Sequence, residues 1–317
     1  MDYKKNRDNI ALFYQGIEMP GGYTFNQPDT LKKIDSYYNS KFLTGNTDSR
    51  GFRKFFYNII KDKCDIATKF VDLDTKDIQL IPEDGDYTTE TWLMQKDLKL
   101  WLKEKGIAKL LNDIGFDYPK YGHVVIKKTK DGWKLVPLVN LRVDPAVDSL
   151  EHSPWVYEVH LMSKSEMPKD WDTSGLENRE APLYSIYECY HQEADGWHRR
   201  IVGDLYCYAK ENLMARSPES QYNKGVDYID GVELKGDEKI DLPYRELKWE
   251  HVPGRWMGFG FAEYLFDNQI AENEAENLER KGLFWKALQL FQSADETVQN
   301  NLMTDAENGD VVRSPNG

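Results

Sequence analysis

The chain has 317 residues, 40% of them apolar and 13% aromatic, enough to bury the core of one large domain or two ordinary ones. Its formal net charge of −13 argues against a protein that clamps nucleic acid by neutralising phosphates, and fits either a solvated acidic surface or one past which DNA slides without sticking. The opening MDYKKNRDN has no apolar stretch after its charges, no run of about 18 apolar residues occurs, and Cys64, Cys189 and Cys207 form no CxxC pair, so a reducing compartment and no membrane span are expected.

Residues 1–48 read as a loose segment in which Pro20-Gly21-Gly22, Gln27-Pro28 and Gly45-Asn46 punctuate a single helix, about Thr30 to Phe42. An α+β domain is expected over residues 49–252. It opens on Phe52, Phe55, Phe56, Ile59, Ile60, Cys64, Ala67 and Phe70 at three-and-four spacing, which predicts an amphipathic helix with Asp48 or Ser49 as N-cap. A short extended piece, Asp77 to Pro82, leads to a helix over Thr91 to Lys105 with Met94, Leu98, Trp101 and Leu102 on one side. After Gly106 a further helical stretch carries Ile107, Leu110, Leu111 and Ile114 and stops at Gly115 and Pro119.

From His123 the period becomes strand-like. Val124 to Ile126 and Leu135 to Val139 flank Lys130-Asp131-Gly132-Trp133, the Asp-Gly signature of a tight hairpin. Strands follow at Asn140 to Asp144 and Trp155 to Met162. A second hairpin joins Leu183 to His191 and Arg200 to Tyr208 through Asp195-Gly196-Trp197; symmetric pairing sets Cys189 opposite Val202 and leaves Cys207 out of register for a disulfide. Ala215 to Lys239 reads as loops around one short strand, and Leu242 to His251 as a last strand.

Residues 253–300 form the next unit, a helix starting near Phe261 and running to about Ser293 with no proline inside. At heptad spacing its seam holds Tyr264, Asn268, Ala271, Ala275, Leu278, Gly282, Trp285 and Gln289, a narrow stripe that is half small or polar. Such a helix of roughly thirty residues spans about 45 Å. Its middle, with Asp267, Glu272, Glu274, Glu276 and Glu279 against Arg280 and Lys281, has little to bury in its own domain. It either packs beside copies of itself or is a surface helix docked by its apolar ends. In residues 301–317 the turn Glu307-Asn308-Gly309-Asp310 precedes Val311-Val312, the start of a hairpin without a partner downstream; the expectation is an amino-terminal part of something longer, with a free tail as the alternative.

Signs of chemistry are sparse. Gly258-Phe259-Gly260 lacks the third glycine of a dinucleotide loop and no GKS or GKT occurs, so these glycines, with Arg255 and Trp256, read as the means by which the chain turns into the helix or seats on another element. His123, His152, His160, His191, His198 and His251 include no HExxH pair, and the three cysteines make no zinc pattern, so no metal or cofactor is expected. Asp144, Asp148 and Glu151 are the one acidic cluster outside the helix, and turn chemistry explains them more simply than catalysis. No GxSxG elbow is present and no catalytic residue is assigned. The aromatic strands PWVYEVH and LYSIYECYH either fill a sheet or form the stacking platform of a carbohydrate-binding or glycoside-cleaving protein.

Four pieces taken in order resemble the portal protein of tailed bacteriophages: "SRGFRKFFYNIIKDKCDIATKFV" with "DIQLIPE", "YGHVVIKKTKDGWKLVPLVNLRVDPAVDS", "SPWVYEVHLMSKSEMP", and "GRWMGFGFAEYLFDNQIAENEAENLERKGLFW". Their order across about residues 49 to 292 carries the resemblance, and the last is similar to the family's Gly-x-Gly approach to a helix containing a Gln or Asp and paired Asn residues. The resemblance implies a non-enzymatic subunit of a twelve-membered ring at a capsid vertex of the virion, assembled in the host cytoplasm. Double-stranded DNA would pass through it, and its partners would be the major capsid protein, the terminase motor and neck or head-completion proteins. Residues up to about 250 would form a mixed helix and antiparallel-hairpin wing, the helix from Phe261 a stem helix, and the Gly309 turn the start of a clip. Arg280, Lys281 and Lys286 are the candidates for weak DNA contacts, with pairing to Glu276 or Glu279 as the alternative. The second stem helix, most of the clip and the crown have no counterpart in this sequence.

Overall fold

The computed structural model describes residues 3–47, 51, 53–71, 74–82, 88–176, 183–203 and 232–287. Among them are helices α1 (Tyr3–Gln15), α2 (Gln27–Tyr38), α3 (Ile59–Phe70), α4 (Thr88–Glu104), α5 (Ile107–Tyr121), the single turn α6 (Phe261–Tyr264) and α7 (Phe266–Ala287). The strands are β1 (Ile17–Met19), β2 (Tyr23–Phe25), β3 (His123–Thr129), β4 (Gly132–Val136), β5 (Leu141–Val143), β6 (Trp155–Met162), β7 (Tyr184–Glu193), β8 (Gly196–Gly203), β9 (Val232–Lys239) and β10 (Tyr244–Lys248). They form a β1-β2 hairpin, a three-stranded sheet ordered β10-β3-β4 and a five-stranded sheet ordered β5-β6-β7-β8-β9. Every pairing is antiparallel, so the class is α+β.

Alternation along β6 and β7 gives the five-stranded sheet two apolar faces. Val156 and Tyr190 join Val125, Val136 and Tyr244 of the smaller sheet and Leu31, Ile34, Ile60 and Cys64 of α2 and α3 in the main core. On the opposite face Trp155, Tyr157, Tyr187, Cys189 and Val202 are covered by Ile10 and Phe13 of α1. Each such buried side chain contributes about 1.5–3 kcal/mol, so α1 is an integral lid on the sheet. Asn6 and Asn9 add hydrogen bonds to the Tyr157 hydroxyl, at 2.9 and 2.8 Å.

Several sequence expectations are corrected. The first 48 residues hold two helices and a hairpin where the pattern marks one helix; α2 starts earlier because Asn26 caps it and Pro28 sits in its first turn. The helix expected from Phe52 starts at Ile59, capped by Asn58, and residues 53–58 are extended. Helix α5 continues through Gly115 and Pro119 to a left-handed Gly122. The second hairpin pairs Cys189 with Arg200 and sets Val202 opposite Tyr187, two residues from the symmetric expectation, because Glu193 and Gly196 close the turn. The long helix is interrupted at Leu265.

Cys64 and Cys189 are buried free thiols. Burial, helped by Asp65, pushes Cys64 up to about 12, and burial with Glu188 raises Cys189 as well, so neither is a nucleophile at neutral pH. Cys207 and residues 288–317, including Gln289 and the Gly309 turn, lie outside the described residues.

Candidate assembly surface on the long helix

The approach to the helix is built on three glycines in backbone contact. Gly122 ends α5 at φ +69°, and a Cβ there would lie 2.3 Å from the Gly260 nitrogen. A Cβ on Gly258 would lie 2.3 Å from the Gly122 oxygen, and one on Gly260 2.4 Å from the Gly122 nitrogen. No side chain fits in such space, so these positions require glycine for close approach, not for a phosphate.

Arg255, only 1% exposed, organises the same turn. Its Nε and Nη2 donate to the Met257 and Gly258 carbonyls at 2.7 and 2.8 Å, both Nη atoms bind the Glu263 carboxylate at 2.8 Å, and its plane lies 4.3 Å from the Phe25 ring centroid. A buried guanidinium is tolerable only when so fully satisfied. Beside it His123 Nδ1 accepts from the Gly258 N–H, which leaves Nε2–H to donate to Glu246 at 3.1 Å. Burial pushes His123 below its ordinary range against the pull of Glu246, so the imidazole is neutral. Burial opposes ionisation of Glu246, yet His123, Lys248 and the Trp256 indole together hold it below the usual carboxylate range.

Beyond Phe266, which is buried in the main core with Ile270 packed against that core, the buried side chains of α7 are polar. Gln269, Asn273 and Asn277 recur every four residues on one face and grip the extended backbone before α3. Gln269 Oε1 accepts from the N–H groups of Ile59 and Ile60, at 3.0 and 3.2 Å, and its Nε2 donates to the Tyr57 carbonyl. Asn273 Oδ1 accepts from the Tyr57 N–H at 2.9 Å, and Asn277 exchanges two hydrogen bonds with the Phe55 backbone at 2.9 Å. Together with Asn58, whose Oδ1 takes the Lys61 N–H, Gln269 satisfies donors in the first turn of α3 that no intrahelical carbonyl can reach. This ladder is why residues 53–58 are not helical: the backbone groups a helix would use internally at Phe55 and Tyr57 are taken by amides more than 210 residues away.

The expected seam lies on the other side, about 180° around at 3.6 residues per turn. Tyr264 is 69% and Leu278 67% exposed, and Asn268, Ala271, Ala275 and Gly282 are exposed too. The side chains of Trp285 and Lys286 lie outside the described residues. Of the proposed DNA contacts, Arg280 pairs with Glu276 at 3.1 Å and stacks 3.7 Å from the Phe55 ring centroid, and Lys281 is exposed. Asp144 and Asp148 cap turns, accepting from the N–H groups of Ala146 and Gly254. Trp155, Tyr157, Tyr187 and Tyr190 are all buried and offer no ring face to a sugar.

Sequence reasoning missed the ladder; its signal is the run Gln269, Asn273, Asn277 at four-residue spacing. No known family model matches the chain, and no curated protein matches it. No described helix is long and apolar enough to cross a membrane.

Proposed function

We propose that the chain is a structural subunit in the portal ring that forms the channel for double-stranded DNA at a capsid vertex of a tailed bacteriophage. The observation that carries this reading is the orientation of α7, whose amides face its own domain while its small and apolar seam faces out. A surface helix of a monomer has the reverse arrangement. A neighbouring copy would cover Tyr264, Leu278 and Leu283, and Ala271, Ala275 and Gly282 would let it approach closely.

A ring closes through two different surfaces on each subunit. The exposed apolar side chains of Trp92, Leu93, Met94 and Leu100 on α4 supply a candidate for the second. In this reading residues 49–252 are a wing-like domain and 253–300 the stem, with the motor ATPase a separate protein. The exposed acids Asp267, Glu272, Glu274 and Glu279 suit a wall past which a polyanion slides.

Negative-stain imaging of the protein from its uninterrupted reading frame, with light-scattering mass on the same sample, tests the proposal. Rings with a central hole are expected, together with blank ATPase and nuclease assays. A uniform monomer, or turnover that follows the protein through purification, would sink it.

A further inference from the structure

A second polar cluster lies between the two larger sheets, independent of any ring. Glu158 of β6 and Glu188 of β7 are direct cross-strand partners, and His160 shares their face two residues along β6. Carboxylates in that position repel. Lys127, reaching from β3, holds one oxygen of each, with Nζ 2.5 Å from Glu158 Oε2 and 2.7 Å from Glu188 Oε2. The Tyr244 hydroxyl donates to Glu158 Oε2 and the Tyr190 hydroxyl to Glu188 Oε2. These donors all gather on the Oε2 atoms, while His160 Nε2 faces both Oε1 atoms.

One ammonium faces two carboxylates where the Glu158 side chain is 6% and the Glu188 side chain 16% exposed. Arg199, on the neighbouring strand, is engaged by Glu238 at 2.7 Å. His160 Nε2 stands 3.4 Å from Glu158 Oε1 and 3.8 Å from Glu188 Oε1. Those separations exceed the usual limit of about 3.2 Å for N–H···O bonds. They approach the ligand-to-ligand edge of a zinc tetrahedron, about 3.4 Å for bonds of about 2.0–2.2 Å. The other histidine and carboxylate cluster among the described residues gives the contrast: His198 bonds Asp237 at 2.8 Å and Asp195 at 3.0 Å, already closed on itself.

We propose that Glu158, His160 and Glu188 bind a divalent first-row cation, with zinc the best fit to two carboxylate oxygens and one imidazole at this spacing. The cation takes one oxygen from each carboxylate and the imidazole nitrogen, ties β6 to β7 in front of Lys127 and leaves a fourth position for water on the partly exposed His160 side. Motif spacing does not reveal the site because its ligands come from two strands; the sequence signal is Glu-x-His on an alternating strand.

The full chain, stripped with chelator, is titrated with zinc chloride by calorimetry, with cobalt(II) as a spectroscopic probe and thermal unfolding as a third readout. Expected are one equivalent of zinc, a higher Tm and the intense visible bands of four-coordinate cobalt. His160→Ala and Glu188→Gln should weaken binding more than about tenfold, while His198→Ala leaves it unchanged. Should His160→Ala fail to fold, His160→Gln carries the same test. Absence of binding by folded wild-type protein, or binding that survives loss of His160, overturns the site.

Discussion

Helices α4 and α7 each grip an extended segment of the chain with side-chain amides, and they do so to different depths. On α4 one half-buried amide, Gln95, accepts from the Leu80 N–H and donates to the Ile78 carbonyl in bonds open to solvent. Leu102 is the only α4 residue among the buried apolar side chains, while Trp92, Leu93, Met94, Leu100 and Trp101 remain exposed. On α7 three amides act in series and two of them, Gln269 and Asn273, are buried. Directional bonds in a dry setting fix the rotation of a helix about its axis, whereas one wet amide and a leucine do not. The outward face of α7 is therefore defined to the residue, and that of α4 is not.

The largest expected effect comes from breaking the seat of α6 and α7. Gly260→Val forces side-chain atoms into the Gly122 backbone and should cost more than about 4 kcal/mol, read as loss of the cooperative thermal transition. Next is Gln269→Leu, which strands the Ile59 and Ile60 N–H groups and the Tyr57 carbonyl. About 3 kcal/mol of destabilisation by urea unfolding is expected, and a loss below about 1 kcal/mol would mean the ladder is incidental.

A perturbation touching neither helix sets the scale. Burial first, then Lys5 and Arg200, pushes His191 down to about 4 from an ordinary value of 6.5. The unfolded chain takes up that proton first, so stability is whole above pH 6.5 and falls as pH drops through 6.5 to about 4, by up to about 3 kcal/mol. His191→Gln should flatten that part of the stability curve, and superimposed curves would refute the assignment. The smallest effect belongs to α4. Gln95→Leu should cost less than about 1 kcal/mol, and hydrogen exchange should find the Leu80 amide far less protected than those of Tyr57 and Ile60 even in the wild type.

What was legible in the sequence follows from how local its cause is. Both hairpins were readable from Asp-Gly next to alternating strands, although the glycine, at φ +139° and +131°, closes each turn instead of occupying its centre. Strand β6 was readable from alternation. The segment at 53–58 misled because aromatic residues at three-and-four spacing suit a helix, while the amides that hold it extended are remote in sequence. Pro119 misled because α5 carries on past it for two residues in spite of the internal hydrogen bond that proline cannot make, and ends at Gly122. That glycine is required twice, by its left-handed φ at the helix end and by its contact with Gly258 and Gly260, and the second reason is remote in sequence.

The account turns on whether the outward face of α7 meets another copy of the chain. Light-scattering mass of wild type and Ala275→Arg, with circular dichroism on both, asks this directly, since Ala275 is exposed and its replacement leaves the fold's contacts intact. Rings from wild type and a folded monomer of unchanged Tm from the variant are the predicted result. Rings from both, or monomers from both, would contradict it.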